Sequence, residues 1–225
     1  MKKSLAALGT LAIAFATANA HAGDISASGD IGTTGIGFHA TIPIKPNVNA
    51  RVGLGYLGYS YSGHTSDMAY DLSLKARTYD ALLDWYPNKD SSFRLTAGIA
   101  YNGNHIDAQA RPTASGSYTI QGNTYDAASV GKVTGKVSFN KFAPYLGIGW
   151  GRPKTDRKGW SFATDVGVLL QGSPKTSLTS SGCTAPAAMC SQFSSDVAKE
   201  NAALRDEVSK FKVYPVLRIG LNYRF

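Results

Sequence analysis

The sequence predicts an all-β fold: an eight-stranded antiparallel transmembrane β-barrel with one short amphipathic helix in its last extracellular loop. Three observations carry this expectation. Over the last thirteen residues one alternate face is almost wholly apolar and the other mostly polar. Five earlier segments repeat that alternation, and a sixth does so with a change of parity. The N-terminus has the three-part pattern of an export signal.

The export signal sets the compartment. Lys2 and Lys3 supply a basic start, Leu5 to Ala16 an apolar run, and Ala18-Asn19-Ala20 and Ala20-His21-Ala22 two small-residue cleavage sites. The run is too short to cross about 30 Å of hydrocarbon. Residues 1–22 are therefore expected to be a signal peptide, cut after Ala22 or else after Ala20. Residues 23–225 are expected to form the barrel. No later stretch reaches the ~18 apolar residues of a membrane helix. The mean hydropathy of −0.15 does not speak against a barrel, because alternating faces cancel in any window average.

The C-terminal strand is the clearest. Val213, Pro215, Leu217, Ile219, Leu221, Tyr223 and Phe225 form one face, and Tyr214, Val216, Arg218, Gly220, Asn222 and Arg224 the other. Period 2 over this length exceeds a usual soluble strand. The same design recurs at 36–42, 48–56, 93–102, 142–150 and 160–171. The apolar sets carry large aromatics near their ends, as a membrane-interface girdle requires. The interleaved sets are rich in Gly, as a narrow interior requires. Between 70 and 86 the apolar parity changes: Leu72, Leu74 and Ala76 share one register, and Tyr79, Ala81, Leu83 and Trp85 the other. The change near Arg77-Thr78 marks either a β-bulge or the point where the strand leaves the membrane.

A final strand ending Tyr223-Arg224-Phe225 resembles the C-terminal signature of bacterial outer-membrane barrels. The resemblance implies that Leu221, Tyr223 and Phe225 are read by the barrel-assembly machinery. The stretches Ala143 to Gly151, Leu83 to Pro87, Gln171 to Pro174 and Tyr214 to Phe225 extend the likeness. By them the mature chain resembles the small OmpA/OmpW-like outer-membrane barrels of proteobacteria. That resemblance implies a porin-like, multi-pass protein of the Gram-negative outer membrane. Outer-membrane lipid and lipopolysaccharide are then the natural partners of its surface cations.

Connections come in two lengths. Those at 45–47, 87–91 and 152–158 are short, and those at 62–69, 102–132 and 173–212 are long. Short turns belong in the periplasm and long loops outside, so both termini are expected in the periplasm. Seven strands are secure, yet bacterial barrels have even numbers. An eighth is expected at Ile25 to Asp30, pairing with the last strand, although Ile25, Ala27 and Gly29 make a poor lipid face. The alternative draws two strands from 115–139; Ser117 to Ile120 and Asn123 to Tyr125 are read instead as an extracellular hairpin.

Two features stand apart in the last long loop. Cys183 and Cys190 are the only cysteines, and in an exported chain two close cysteines pair. From Asp196 to Lys212, Val197, Asn201, Leu204, Val208 and Phe211 recur at helical spacing, with Ser194 or Ser195 as the cap. This helix is expected to lie as a lid on the barrel mouth, and partner binding is the alternative.

The interior set contains charges: Arg51, Asp80, Asp84, Arg94, Asp165, Arg218 and Arg224. Charges in a low-dielectric interior must pair or meet water. Layered Arg–Asp pairs plugging a narrow barrel are expected, since eight strands leave a space that side chains fill. The competing expectation is a polar path for small solutes. His39 points inward, while His64 and His105 fall in or near loops, and nothing couples them to a serine and a carboxylate. There is no G-x-S-x-G, H-E-x-x-H or P-loop. Neither a cofactor nor a metal is expected. The net charge of +8 is scattered rather than clustered, which argues against nucleic acid. The expected function is that of a non-enzymatic outer-membrane barrel, structural or passing small solutes. A surface interaction protein acting through the long loops near 103–132 and 173–212 is the alternative. A lipid-modifying enzyme is the third reading.

Overall fold

A computed structural model describes residues 25–64, 69–88, 91–151 and 158–225. The expected signal peptide lies outside the described residues, as do parts of the turns at 87–91 and 152–158.

The described chain forms thirteen strands and two helices. In order these are β1 (Ser26–Gly32), β2 (Gly35–Lys45), β3 (Val48–His64), β4 (Ala69–Trp85), β5 (Phe93–Asn102), β6 (His105–Arg111), β7 (Ser117–Ile120), β8 (Asn123–Asp126), α1 (Ala127–Val130), β9 (Lys132–Ser138), β10 (Phe142–Trp150), β11 (Gly159–Leu170), β12 (Lys175–Ser181), α2 (Ala187–Val208) and β13 (Val213–Arg224). Eight of them pair in a ring, β1-β2-β3-β4-β5-β10-β11-β13, with β13 returning to β1. Every ring pairing is antiparallel. The ring has the expected number of strands, and the weak first strand does pair with the last, over Ser26–Gly32 rather than Ile25 to Asp30. No helix among the described residues is long and apolar enough to cross a membrane.

The ring's outer surface is a membrane face. Phe38, Leu54, Leu83, Ile99, Leu146, Phe162 and Ile219 all point outward and are exposed. Two aromatic belts edge it. Tyr79, Tyr101 and Phe142 stack in sequence at 6.1 and 5.7 Å near one end. Phe93 meets Trp150 at 5.7 Å, and Trp160 meets Tyr223 at 5.0 Å, near the other. Aromatic rings sit at membrane–water interfaces because one end is apolar and the other tolerates water.

Five strands lie outside the ring, and three of them, β6, β9 and β12, correct the expectation of loops in these regions. β6, β9 and β12 add in turn to the far half of β4, so that β3, β4, β6, β9 and β12 make a wall standing above the ring. The hairpin β7–β8 is the one the sequence suggested, and it lies outside the ring. With α1, α2 and this wall it encloses a second core of Tyr118, Ile120, Tyr125, Val130, Val133, Phe193 and Val197. We call this part the lobe, and the opposite end of the ring the turn end.

The parity change near Arg77-Thr78 is not a bulge. β3 and β4 keep one register from Val48↔Trp85 to His64↔Ala69. The surroundings invert instead. Outward residues are Tyr79, Leu83 and Trp85 beside lipid, then Ser73 and Asp71 beside water. Inward residues are Asp84, Asp80 and Thr78 in the ring, then Leu74, Leu72 and Tyr70 facing the lobe interior. Each face changes its polarity because its solvent changes.

Helix α2 also differs from expectation. It runs from Ala187 to Val208 instead of Asp196 to Lys212, so Ser194 and Ser195 lie within it and Phe211 beyond it. The Cys183–Cys190 disulfide, with Cα atoms 5.9 Å apart, ties the helix's first turn to the segment that follows β12. Pro186 occupies the N-cap without a side-chain cap bond. Phe193, in the extra turns, is fully buried and packs edge-on against Tyr125 at 4.8 Å. The helix therefore covers the inner face of the lobe wall rather than lying on the mouth of the ring.

Candidate functional site

The ring interior collects the predicted charges into two layers. Near the turn end, the Arg51 terminal nitrogens donate to both oxygens of Asp165, at 2.8 and 3.0 Å, and one also donates to Asp84 at 3.1 Å. Arg94 donates to Asp165 at 2.8 Å and to the Gly151 carbonyl at 2.6 Å. The Thr96 hydroxyl donates to Asp84 at 2.6 Å. Two guanidiniums and two carboxylates thus form one neutral, buried network. Arginine suits it because its planar fork meets two carboxylate oxygens at once.

The second layer lies further toward the lobe. Arg218 donates to Asp80 at 2.8 Å and to the Thr34 hydroxyl at 3.2 Å. His39 Nδ1 lies 2.7 Å from Asp30. A carboxylate only accepts, so this nitrogen carries the proton. The other ring nitrogen lies 3.2 Å from Arg218 and 3.3 Å from Asp80. It accepts from the guanidinium when bare and donates to Asp80 when protonated.

These side chains fit because their cross-strand neighbours are small. A Cβ on Gly53 would come within 2.0 Å of the His39 ring, and one on Gly149 within 2.9 Å of the Arg94 guanidinium. The Gly-rich inward sets are the space into which long charged side chains lie flat. Nearer the lobe, Leu82, Ala100, Ala143, Tyr145, Leu169 and Val216 pack as an apolar cluster, and Arg218 lies 5.9 Å from the Tyr145 ring. At the turn end, the void bounded by Thr41, Arg51, Asp84, Tyr86, Arg94, Gly151 and Asn222 measures about 10 Å³. That is about one water-sized probe.

Of the seven predicted interior charges, Arg51, Asp84, Arg94 and Asp165 meet in the first layer, and Asp80 and Arg218 in the second. Arg224 is not as deeply placed. It is part-buried at the turn end of β13, in register with Ser26 and Gly159. Leu221 and Phe225 are exposed on the outer face, and Tyr223 stacks on Phe225 at 5.2 Å. Asp30 was missed because its strand has a weak lipid face. The opposite parity, Ser26, Ser28 and Asp30, is the signal that places it inward. The inward position of His39 was legible, but its partners lie on three other strands.

The lobe has its own buried polar centre. Asp196, 1% exposed, accepts from the Tyr125 hydroxyl and the Asn123 amide, both at 2.7 Å, and pairs with Lys199 at 3.0 Å. The Tyr125 hydroxyl, and after it Lys199 and Asn123, hold its carboxyl well below the usual carboxylate range. It locks α2 to the hairpin.

A ring of eight antiparallel strands with a lipid-facing belt and a polar, ion-paired interior defines an outer-membrane β-barrel. The solved structures agree. The chain is similar to CarO of Acinetobacter baumannii, an outer-membrane β-barrel protein, at 25% identity with a TM-score of 0.57, over 89% of this chain and 97% of that one. It is also similar in fold to Acinetobacter baumannii CarO2, at 23% identity with a TM-score of 0.55, over 89% of this chain and 98% of that one. No family model matches the chain, and no curated protein matches its sequence.

Proposed function

We propose that the protein is a non-enzymatic outer-membrane barrel whose membrane part is a salt-bridged plug and whose lobe is its working surface. One observation carries this reading. The Arg51–Asp165 pair, with Arg94 and Asp84 beside it, occupies the barrel's cross-section near the turn end and leaves a void of about 10 Å³. A solute path needs a continuous polar lumen, and a charge-neutral network reaching from β3 to β11 narrows the interior at this level.

In this reading the lobe faces outward from the cell and both termini face the periplasm, as the lengths of the connections favour. Residues 1–22 direct export. Leu221, Tyr223 and Phe225 present the terminal strand to the barrel-assembly machinery. The OmpW-like likeness of the terminal strand belongs to the same reading. The lobe, with its own core and a disulfide, suits presentation of a fixed surface rather than a set of mobile loops.

Planar-bilayer recording tests it. The unaltered protein is expected to add no reproducible conductance step, and the combined Arg51→Ala and Asp165→Ala variant to add small ones. Steady conductance from the unaltered protein would replace the plug with a solute-passing barrel.

A further inference from the structure

The lobe wall has two faces, and only one is covered. The inner face is covered by α2 and the β7–β8 hairpin on its β6, β9 and β12 side, while Tyr59 and Tyr61 of β3 remain exposed. The outer face carries an open groove of about 750 Å³ running across β3, β4, β6, β9 and β12. Ser62, Ser73, Gln109, Thr134, Ser177 and Thr179 are among its lining residues.

Its position restricts what it meets. The outer face of the wall continues the lipid-facing surface of the ring without a change of register. Lys75 lies four residues beyond Tyr79 of the aromatic belt, roughly 13 Å along the strand. A strand tilted by about 45° brings that to roughly 9 Å above the belt. At Lys75 the neighbours are the head groups of the surrounding lipids, and from there the groove rises past Ser73 and Asp71 into water.

The groove's own charged lining is balanced, Asp71 and Asp107 against Arg111 and Lys136, and Lys75 and Lys175 make its membrane edge cationic. Asp107 faces three cationic or protonatable groups at once: Lys75 at 3.6 Å, Lys136 at 3.8 Å and His105 at 3.4 Å. Asp71 pairs with Arg111 at 3.0 Å. Register places Lys175 in the same outward row as Lys75, across His105 and Ser138. Among the described residues, Asp71 and Asp107 are the only carboxylates on this face. The ion pairs are partly exposed and leave the lysine ammoniums free to take further acceptors. Ammonium and guanidinium groups beside rows of hydroxyls and an amide match phosphates attached to sugars. The cations take the phosphate oxygens, and the hydroxyls and Gln109 exchange hydrogen bonds with sugar hydroxyls.

We propose that this groove is a docking site for the phosphorylated sugar head group of an outer-leaflet glycolipid, held chiefly by Lys75, Lys136 and Arg111. It rests on the outward placement of the lobe, and it gives the lobe a ligand.

The test uses the whole mature barrel in lipid nanodiscs containing a small fraction of bis-phosphorylated lipid A carrying two inner-core sugars. Native mass spectrometry counts the glycolipid retained per barrel, and an unboiled gel confirms the fold. The expected result is at least one retained glycolipid, falling five-fold or more in the combined Lys75→Glu and Lys136→Glu variant. Arg205→Glu with Lys210→Glu, the same charge change on the helix side of the lobe, is expected to retain it. Equal loss in both variants, or no retention above a zwitterionic phospholipid by the unaltered protein, overturns the proposal. Surface labelling of the lobe in intact cells reads its orientation separately, so failure of the site and failure of the outward placement are told apart.

Discussion

Arg51 and Asp165 join strands four places apart in a ring of eight, so this one pair spans the barrel's diameter. Arg218 and Asp80 do the same at the next level, from β13 to β4. Each pair ties together strands that share no backbone hydrogen bond. The barrel is braced across as well as around.

Breaking a brace is therefore expected to cost more than an exposed ion pair would. Arg51→Ala or Asp165→Ala leaves an uncompensated buried charge, at ~3–5 kcal/mol. The combined Arg51→Met and Asp165→Asn variant removes both charges while staying close to the original volume, and is expected to lose less than either single alanine variant. Urea unfolding in lipid vesicles, followed by tryptophan fluorescence, measures all three. Additive losses would mean that the pair is not coupled.

Gly53 is the space His39 occupies. Gly53→Ala places a methyl where the imidazole lies, and overpacking of this kind costs about 1–3 kcal/mol. Adding His39→Ala to Gly53→Ala is expected to relieve the clash. It leaves Asp80 to Arg218 and takes from Asp30 its histidine partner, so recovery should be partial. The temperature at which the compact gel band disappears orders the three proteins.

Asp196 makes the lobe sensitive to acid. Its folded carboxyl titrates below the ordinary value, held down chiefly by the Tyr125 hydroxyl. A group of this kind contributes stability above its unfolded pKa and loses it as pH falls through the folded one. Acidification below the usual carboxylate range is expected to speed amide exchange along α2 before it affects the ring strands. Asp196→Asn should show fast α2 exchange already at neutral pH and little further change with acid.

The disulfide acts on the lobe alone. It encloses a loop of eight residues, for which chain entropy gives roughly 2–3 kcal/mol. Cys183→Ser with Cys190→Ser, or reduction, is expected to make the start of α2 sensitive to protease while the heat-modifiable barrel band persists. Loss of that band on reduction would contradict the separation of lobe core from ring.

The aligned strands were legible because period 2 is a local property. Phe93 to Asn102 or Phe142 to Trp150 can be assigned inward and outward faces without knowing any neighbour. The interior charges were found the same way, and so was the cysteine pair. The lobe strands β6, β9 and β12 were not legible. Each is short, and its inward set has at most three apolar members, interrupted by Gly135 in β9 and beginning at Thr176 in β12. The helix and hairpin that cover them come from distant segments. The start of α2 was missed because the Gly, Thr, Ala, Pro and Ser around Cys183 and Cys190 read as a loop, although Phe193 and Val197 share one helical face.

By itself the sequence determined the class, an outer-membrane barrel with a ring of eight strands and charges on its inner face. Alternation, glycine content and turn lengths are all set along the chain. Only the tertiary structure decided which guanidinium meets which carboxylate, that His39 and Asp30 join the network, and that the long connections build a lobe. Those facts depend on which strands the ring places opposite one another, and on one strand running unbroken from lipid into water. Neither can be read from a strand taken alone.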